Sequence, residues 1–372
     1  MESSAPFIEQ ALALAAQALQ RSSPNPRVGC VITTPEGRVL GRGSTQQAGG
    51  AHAEIMALRD AAAAGLDVRG ATAYVTLEPC AHQGRTGPCC DALVAAGIAR
   101  VVASVQDPNP LVAGQGFARL RAAGVTVEVG PGAAAARELN LGFFSRMVRK
   151  TPWVRLKVAA SLDGTTALAN GASQWITSGA ARADGHAWRA RSCAVLTGIG
   201  TVLADQPRLD VRDVPTPRQP QVVVVDSQLQ TPQDASLFIA DRECTIYAAA
   251  TFDTSMQTRK QALEARGATV VHLPNAQGQV DLPALLRDLA QRGVNELHVE
   301  AGHRLNGALL SAGLVDEWLV YLAPKLLGPG RGMAQWGPLE TLAQGQELEF
   351  RSVDRVGPDL RALARVRGRD DF

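Results

Sequence analysis

All five tryptophans (Trp153, Trp175, Trp188, Trp318, Trp336) and all four lysines (Lys150, Lys157, Lys260, Lys325) of this 372-residue chain lie at or beyond position 150. The first 149 residues contain neither. Such a break predicts two domains of separate origin, 1–150 and 151–372, meeting near Lys150-Thr151-Pro152. The residue before a proline is pushed out of the α region, so Pro152 also ends the preceding helical segment. At about 100–200 residues per domain, each half is long enough to bury its own core.

Both halves read as α/β. In the first, residues 7–20 pattern as an amphipathic helix, 28–34 and 38–46 as strands, and 52–64 as a helix stopped by Gly65. Strand 71–77, helix 89–96, strand 101–105, helix 116–123 and strand 125–129 follow, and the Ala run at 133–136 suits a helix surface. Strands alternating with helices imply a mixed sheet covered on both faces. The second half has strand-like runs at 153–160, 194–198, 222–226, 244–249, 268–273, 295–300 and 317–322. Helical patterns fall at 178–191, 282–291 and 304–312. No G-x-G-x-x-G follows its first strand, so a standard dinucleotide-binding Rossmann unit is not indicated.

Lys+Arg is 37 against Asp+Glu 35, a net charge of +2. Without a clustered basic excess or an aromatic-rich basic stretch, a nucleic-acid binder is disfavoured. No apolar run approaches the roughly 18 residues of a membrane span. Glu2 and Glu9 precede the first basic residue, Arg21, so the basic start of a signal peptide is missing. The expected compartment is a reducing cytoplasm. Six cysteines in a chain of this length do not resemble a disulfide scaffold. Cys30, Cys193 and Cys244 sit in apolar runs and are expected as buried core thiols.

Cys80, Cys89 and Cys90 crowd into eleven residues and read as metal chemistry. His52-Ala53-Glu54 opens a helix, Pro79-Cys80 follows a strand, and Cys89 comes nine positions later. One histidine and two thiolates are three zinc ligands, which leaves a fourth position for water. Zinc lowers the pKa of that water toward about 7. Glu54, two residues from His52, is placed to take the water's proton and deliver it to a leaving amine. H-x-E…P-C-x-x-C is the signature of zinc nucleobase deaminases. Here the two cysteines are separated instead by AHQGRTGP, a loop that brings His82 and Arg85 as candidates for holding a substrate phosphate. A structural site of His52, Cys80, Cys89 and Cys90 is the bland alternative. Adjacent cysteines rarely both reach one metal, and such a site has no use for Glu54. Cys90 is therefore expected to pack.

The strings SPNPRVG (23–29), HAE (52–54), TLEPCAHQGRTGPCCDALVAAG (76–97) and QDPNP (106–110) resemble the bifunctional deaminase/reductase family of riboflavin biosynthesis. In the second half LKVAASLDG (156–164), SQWIT (173–177), TVLADQPRL (201–209), VVVDS (223–227) and VEAGHRLNGALL (299–310) resemble the reductase domain of the same family. The resemblance implies a cytidine-deaminase-like mixed-sheet domain followed by a dihydrofolate-reductase-like α/β domain. It implies deamination of a diaminopyrimidinone ribosyl phosphate and NADPH-dependent reduction of the ribosyl group to ribityl. His52, Cys80 and Cys89 would bind zinc and Glu54 would move the proton, with Asn25, His82, Arg85 and Asn109 contacting substrate. Asn25 and Asn109, both flanked by prolines, suit turns equally well.

In the reductase half the resemblance places Ala159, Trp175, Thr201, Asp205, Ser227, Gly302, His303, Arg304, Leu305, Asn306, Gly307 and Ala308 along NADPH. Ser173, Arg189, Leu209, Arg212 and Glu300 would hold substrate, the arginines at its phosphate. The residues alone show less. The segment 297–307 is a strand, a glycine turn and a helix start, whose free N–H groups suit a pyrophosphate. Lys157, among Val154, Leu156, Val158 and Ala160, faces either a site or water; in a site it would polarise or protonate the substrate oxygen. The expected partner is a small pyrimidine nucleotide, with no nucleic acid or membrane, in a homo-oligomer assembled through the reductase half. The rival reading is a single-activity nucleoside or tRNA deaminase whose second half is not catalytic.

Overall fold

In the computed structural model, which describes residues 4–82, 87–110, 112–251 and 253–372, Pro6 lies in the first turn of helix α1 (Ala5–Ala16). Its fixed φ suits a helix start, so the helix begins earlier than the hydrophobic pattern suggests. It also ends earlier, giving way to turns before Arg21. The order continues with β1 (Gly29–Thr33), β2 (Val39–Ser44), α2 (Ala53–Ala63), β3 (Thr72–Val75), α3 (Cys89–Ala95), β4 (Arg100–Ala103), α4 (Gln115–Ala122) and β5 (Thr126–Val129). Two helices, α5 (Ala133–Leu139) and α6 (Leu141–Val148), end this part. The strands form a mixed sheet in the order β2-β1-β3-β4-β5. β1 runs antiparallel to both neighbours, and β3, β4 and β5 are parallel. Helix α2 lies directly on β2, since a side chain at Gly43 would come 2.2 Å from the Ala53 carbonyl oxygen. Only glycine permits that approach.

From Thr151 the chain forms β6 (Trp153–Ser161), β7 (Ala167–Leu168), α7 (Gly179–Arg191), β8 (Ala194–Gly198), α8 (Ile199–Asp205), β9 (Gln221–Val225) and β10 (Cys244–Ala248). Then come α9 (Thr254–Glu264), β11 (Ala268–His272), α10 (Leu282–Gln291), β12 (Glu296–Val299), α11 (His303–Ser311), β13 (Glu317–Ala323) and β14 (Gly330–Arg331). The hairpin β15 (Leu348–Val356) and β16 (Asp359–Val366) ends the sequence of elements. Nine strands pair in the order β11-β10-β9-β8-β12-β6-β13-β16-β15. All pairs from β11 to β13 are parallel, and the β13-β16-β15 end is antiparallel. The central parallel strands are buried on both faces, which is why β9 (QVVVV) and β10 (CTIYA) carry almost no alternation.

The chain divides into two compact units, Met1–Lys150 with Phe372, and Thr151–Asp371. Each has its own core, one built around Ile32, Val75, Leu93 and Val101, the other around Leu156, Leu196, Leu285 and Leu297. Among the described residues no helix is long and apolar enough to cross a membrane. Cys30, Cys193 and Cys244 are buried thiols outside any disulfide.

Candidate active sites

Three short-range features bring the first site together. His52 is the N-cap of α2, with extended backbone (φ −75°, ψ 166°), which leaves its ring at the helix mouth and Glu54 in the first turn. β3 delivers Thr76 to Cys80 at its C-terminal end, and Cys89 opens α3 behind the N-cap Pro88. Among the described residues the group able to hold a metal is His52, Cys80 and Cys89, whose ligand atoms lie within 4.8 Å of one another.

The Sγ atoms of Cys80 and Cys89 lie 3.6 and 3.3 Å from His52 Nδ1. Tetrahedral zinc, with bonds of about 2.3 Å to sulfur and about 2.0–2.1 Å to nitrogen, puts such N and S atoms about 3.5 Å apart. The donor set fits zinc. The Cys89 backbone N–H, at the start of α3, donates to Cys80 Sγ at 3.4 Å. That bond, the Cys89 thiol and His52 stabilise a Cys80 thiolate. Its pKa falls to about 4, chiefly through the hydrogen bond from Cys89, whose own pKa rises in response. His52 is raised, first by its hydrogen bond to Cys80. Cys90 instead lies in the apolar core with Leu93 and Phe117.

Glu54 is 4 % exposed, and burial together with the negative Cys80 pushes its pKa up to about 7. Behind it Cys30 on β1 is held as a neutral thiol by burial and by the Glu54 charge. A carboxyl poised near neutrality beside a metal triad can both accept and return a proton. Around this centre, His82 keeps a buried Nδ1 with no hydrogen-bond partner among the described residues, and Arg85 lies outside the described residues. Asn25 sits half-buried in a loop that Asn140 holds from α6's N-cap. The Asn140 amide accepts from Arg27 N–H at 2.8 Å and donates to Arg27 O at 2.9 Å. Asn109 lies in the loop after β4, its N–H bonded to Asp107 Oδ1 at 2.8 Å. Asp107 itself rises to about 7, mainly by burial.

In the second unit, the residues expected to line a nucleotide gather along the C-terminal edge of the parallel strands. Ala159 is near the end of β6, Thr201 and Asp205 are on α8 after β8, Ser227 follows β9, and Gly302 follows β12. Ligands of parallel α/β sheets bind at this edge. Gly302 is the N-cap of α11, with no capping side chain, and a Cβ there would lie 3.8 Å from Thr201 Oγ1. Arg304 and Ala308 are exposed, while His303 is half-buried and held below its ordinary value by burial and by Arg331 and Arg304. Leu305 packs on the core, Asn306 donates to Met333 O at 2.8 Å, and Gly307 lies against the Gln335 backbone. The side chains of Leu305 and Asn306 therefore face inward, and Gly307 leaves no room for one. Trp175 is 67 % exposed, with the Arg182 guanidinium 4.6 Å from its ring centre. Ser173 is half-buried nearby in sequence.

Glu300, just past β12, is the hub of the candidate substrate side. Arg189 of α7 grips both its oxygens, Nη2 at 2.9 Å from Oε2, and Lys157 Nζ lies 3.5 Å from Oε2. His298 Nε2 is 3.4 Å from Oε1. Burial alone would raise Glu300, but Arg189 and Lys157 outweigh it and hold the carboxylate well below the usual range. Lys157 is thus turned toward a charged cluster. Arg189 also donates to Asp210 O at 3.0 Å, and Arg212 and Arg208 both pair with Asp210. Leu209 between them has φ 52° and a side chain buried in the core, so it can offer only backbone. Sequence reasoning did not single out Asp210 or His298. Asp210 stands immediately after the string TVLADQPRL, but nothing local marks it as the partner of two arginines.

Two family models match the chain. Residues 1–105 match the model of the cytidine and deoxycytidylate deaminase zinc-binding region, and residues 152–362 match that of the RibD C-terminal domain. The riboflavin biosynthesis protein RibD of Escherichia coli is 46% identical over 368 residues, covering 95% of this chain and 97% of the relative. RibD of Acinetobacter baumannii has a solved structure with TM-score 0.88 at 40% identity, covering 97% of this chain and 98% of that one. The Thermotoga maritima diaminohydroxyphosphoribosylaminopyrimidine deaminase/5-amino-6-(5-phosphoribosylamino)uracil reductase superposes with TM-score 0.84 at 30% identity, again over 97% of this chain and 98% of that one. Together the matches imply zinc and a nucleotide cofactor acting on a small-molecule substrate. The chain belongs to the RibD family, the bifunctional deaminase/reductases of riboflavin biosynthesis.

Proposed function

We propose that the first unit, 1–150, removes the exocyclic 2-amino group of a diaminopyrimidinone ribosyl phosphate, and that the second, 151–372, reduces the deaminated product with NADPH. The observation that supports this reading best is the tetrahedral ligand spacing of His52, Cys80 and Cys89 beside a buried Glu54.

Zinc bound by the three ligands supplies the Lewis acidity that makes water nucleophilic near neutral pH. Glu54 takes a proton from that water and hands it to the departing nitrogen; a C–O bond forms, the C–N bond breaks and ammonia leaves. Asn25, His82, Arg85 and Asn109 hold the nucleotide. In the second unit NADPH supplies a hydride. Ala159, Trp175, Thr201, Asp205, Ser227 and the 302–308 turn would hold it, the free N–H groups at the start of α11 suiting a pyrophosphate. Ser173, Arg189, Leu209, Arg212 and Glu300 hold the substrate. The sugar carbon gains C–H, the ring C–O bond opens, and Lys157, 3.5 Å from Glu300 Oε2, supplies the proton that the released oxygen takes.

A coupled assay with metal analysis tests the proposal. The purified chain should carry one zinc, release ammonia from the nucleotide without nicotinamide, and oxidise NADPH in preference to NADH once deaminated compound is present. Ammonia release with no NADPH oxidation would establish the single-activity deaminase instead.

A further inference from the structure

Glu78 stands two residues before Cys80, and its side chain is 3 % exposed. The carboxylate receives three backbone N–H groups, all from the segment that follows β4. Oε2 accepts from Asp107 at 3.2 Å and from Gly114 at 2.9 Å, and Oε1 accepts from Phe117 at 3.2 Å. Gly114 is the N-cap of α4, with φ 84° and no side chain to satisfy the helix's first N–H groups. Glu78 caps the helix from another element, where the positive end of the helix dipole also favours its charge.

Two further contacts fix this geometry. The Glu78 N–H donates to Val105 O at 3.0 Å, and a side chain at Gly116 would lie 2.0 Å from Pro79 O. One side chain thus ties down both ends of the span from Asp107 to Gly114. Within the span, Asn109 O accepts from Val112 and Ala113 at 2.8 and 2.9 Å, and its N–H donates to Asp107.

We propose that Glu78 is a positioning residue for deamination, holding Asn109 in register with the nucleotide beside Cys80. The proposal rests on Asn109 contacting substrate, as the proposed function has it. A helix cap alone would stabilise the fold without selecting any one substrate contact. A positioning role couples Glu78 to Asn109 in particular.

The test is a double-mutant cycle in the full-length protein, with reduction of the deaminated compound as an internal measure of folding. In Glu78→Gln the amide nitrogen faces N–H donors, so at least one of the three bonds is lost. Zinc should stay at one per chain and the reductase rate should not change. Losing a charge-assisted hydrogen bond at this position should lower deaminase kcat/KM about 10- to 100-fold, with the loss carried by KM. Adding Asn109→Ala to Glu78→Gln should then cost little more, since the contact is already out of place. The proposal is overturned if Asn109→Ala alone raises KM and Glu78→Gln does not, or if the two losses multiply. If Glu78→Gln loses zinc, Glu78→Asp decides. Zinc retained with raised KM supports positioning, and zinc lost again, or KM unchanged, refutes it. Should Asn109→Ala by itself leave KM untouched, the substrate role of Asn109 fails and this proposal fails with it, while the zinc centre and Glu54 are unaffected.

Discussion

Glu54→Gln should leave zinc bound while deamination falls by about 10²–10⁴-fold, the usual contribution of a positioned general acid/base. The substitution preserves size and polarity and removes basicity. Glu54 is not one of the atoms that converge at ligand distance, so metal content should not follow it. Burial holds its carboxyl near pH 7, where proton gain and return are both cheap. Reduction of the deaminated compound by the same preparation should be unchanged. Metal analysis and an ammonia assay read both quantities; loss of zinc along with activity would make Glu54 a ligand.

The second large effect concerns stability. Arg155 on β6 is 2 % exposed and lies between two buried carboxylates, Nη1 3.0 Å from Glu296 Oε2 and Nε 2.7 Å from Glu317 Oε2. Its guanidinium also stacks 4.5 Å from the Trp188 ring centre. Burial opposes its charge, but Glu317 and Glu296 together raise its pKa above the ordinary value. Arg155→Met keeps the volume and strands both carboxylates in a low-dielectric interior. Arg191 and Arg365 remain as partners to Glu296 and Glu317, which softens the loss. Breaking a buried pair from one side costs about 3–5 kcal/mol, and the remaining partners place this case near the lower figure. For a unit of this size that is a Tm lower by roughly 6–12 °C in the reductase transition. Calorimetry should show the deaminase transition unmoved. A drop smaller than about 1 kcal/mol would mean the network contributes no net stability.

The metal centre was legible because its chemistry dictates residue types at short spacing. His52-x-Glu54 and Pro79-Cys80 belong to local runs, and each ligand sits at the boundary of one element. The first sheet was legible for a similar reason, since helical and strand periods alternate cleanly from 7 to 129. Less local features were hidden. The hairpin β15-β16 went unread because its outer strand, LEFRSVDRV, is mostly exposed and its apolar residues do not mark a core face. Helix α8, of seven residues, makes only about two turns, too few for a periodic pattern to stand out. Lys157 could not be oriented from its strand alone. Arg155 lies two positions away on the same face, and its partners Glu296 and Glu317 come from strands more than 140 residues distant. The polar face of β6 turns inward because those distant carboxylates meet it. Glu78 was in plain sight within TLEPC, yet its partners are backbone N–H groups that no side-chain pattern reveals.

The proposed function puts two chemistries with separate requirements in one chain, with zinc required by only one of them. Removing zinc from the intact protein with a chelator and then supplying each substrate in turn tests this most directly. Deamination of the aminopyrimidine nucleotide should stop, while NADPH-dependent reduction of the already deaminated compound continues at its original rate. If reduction also stops while the protein remains folded, the two sites are not independent, and the division of labour between the two units is contradicted.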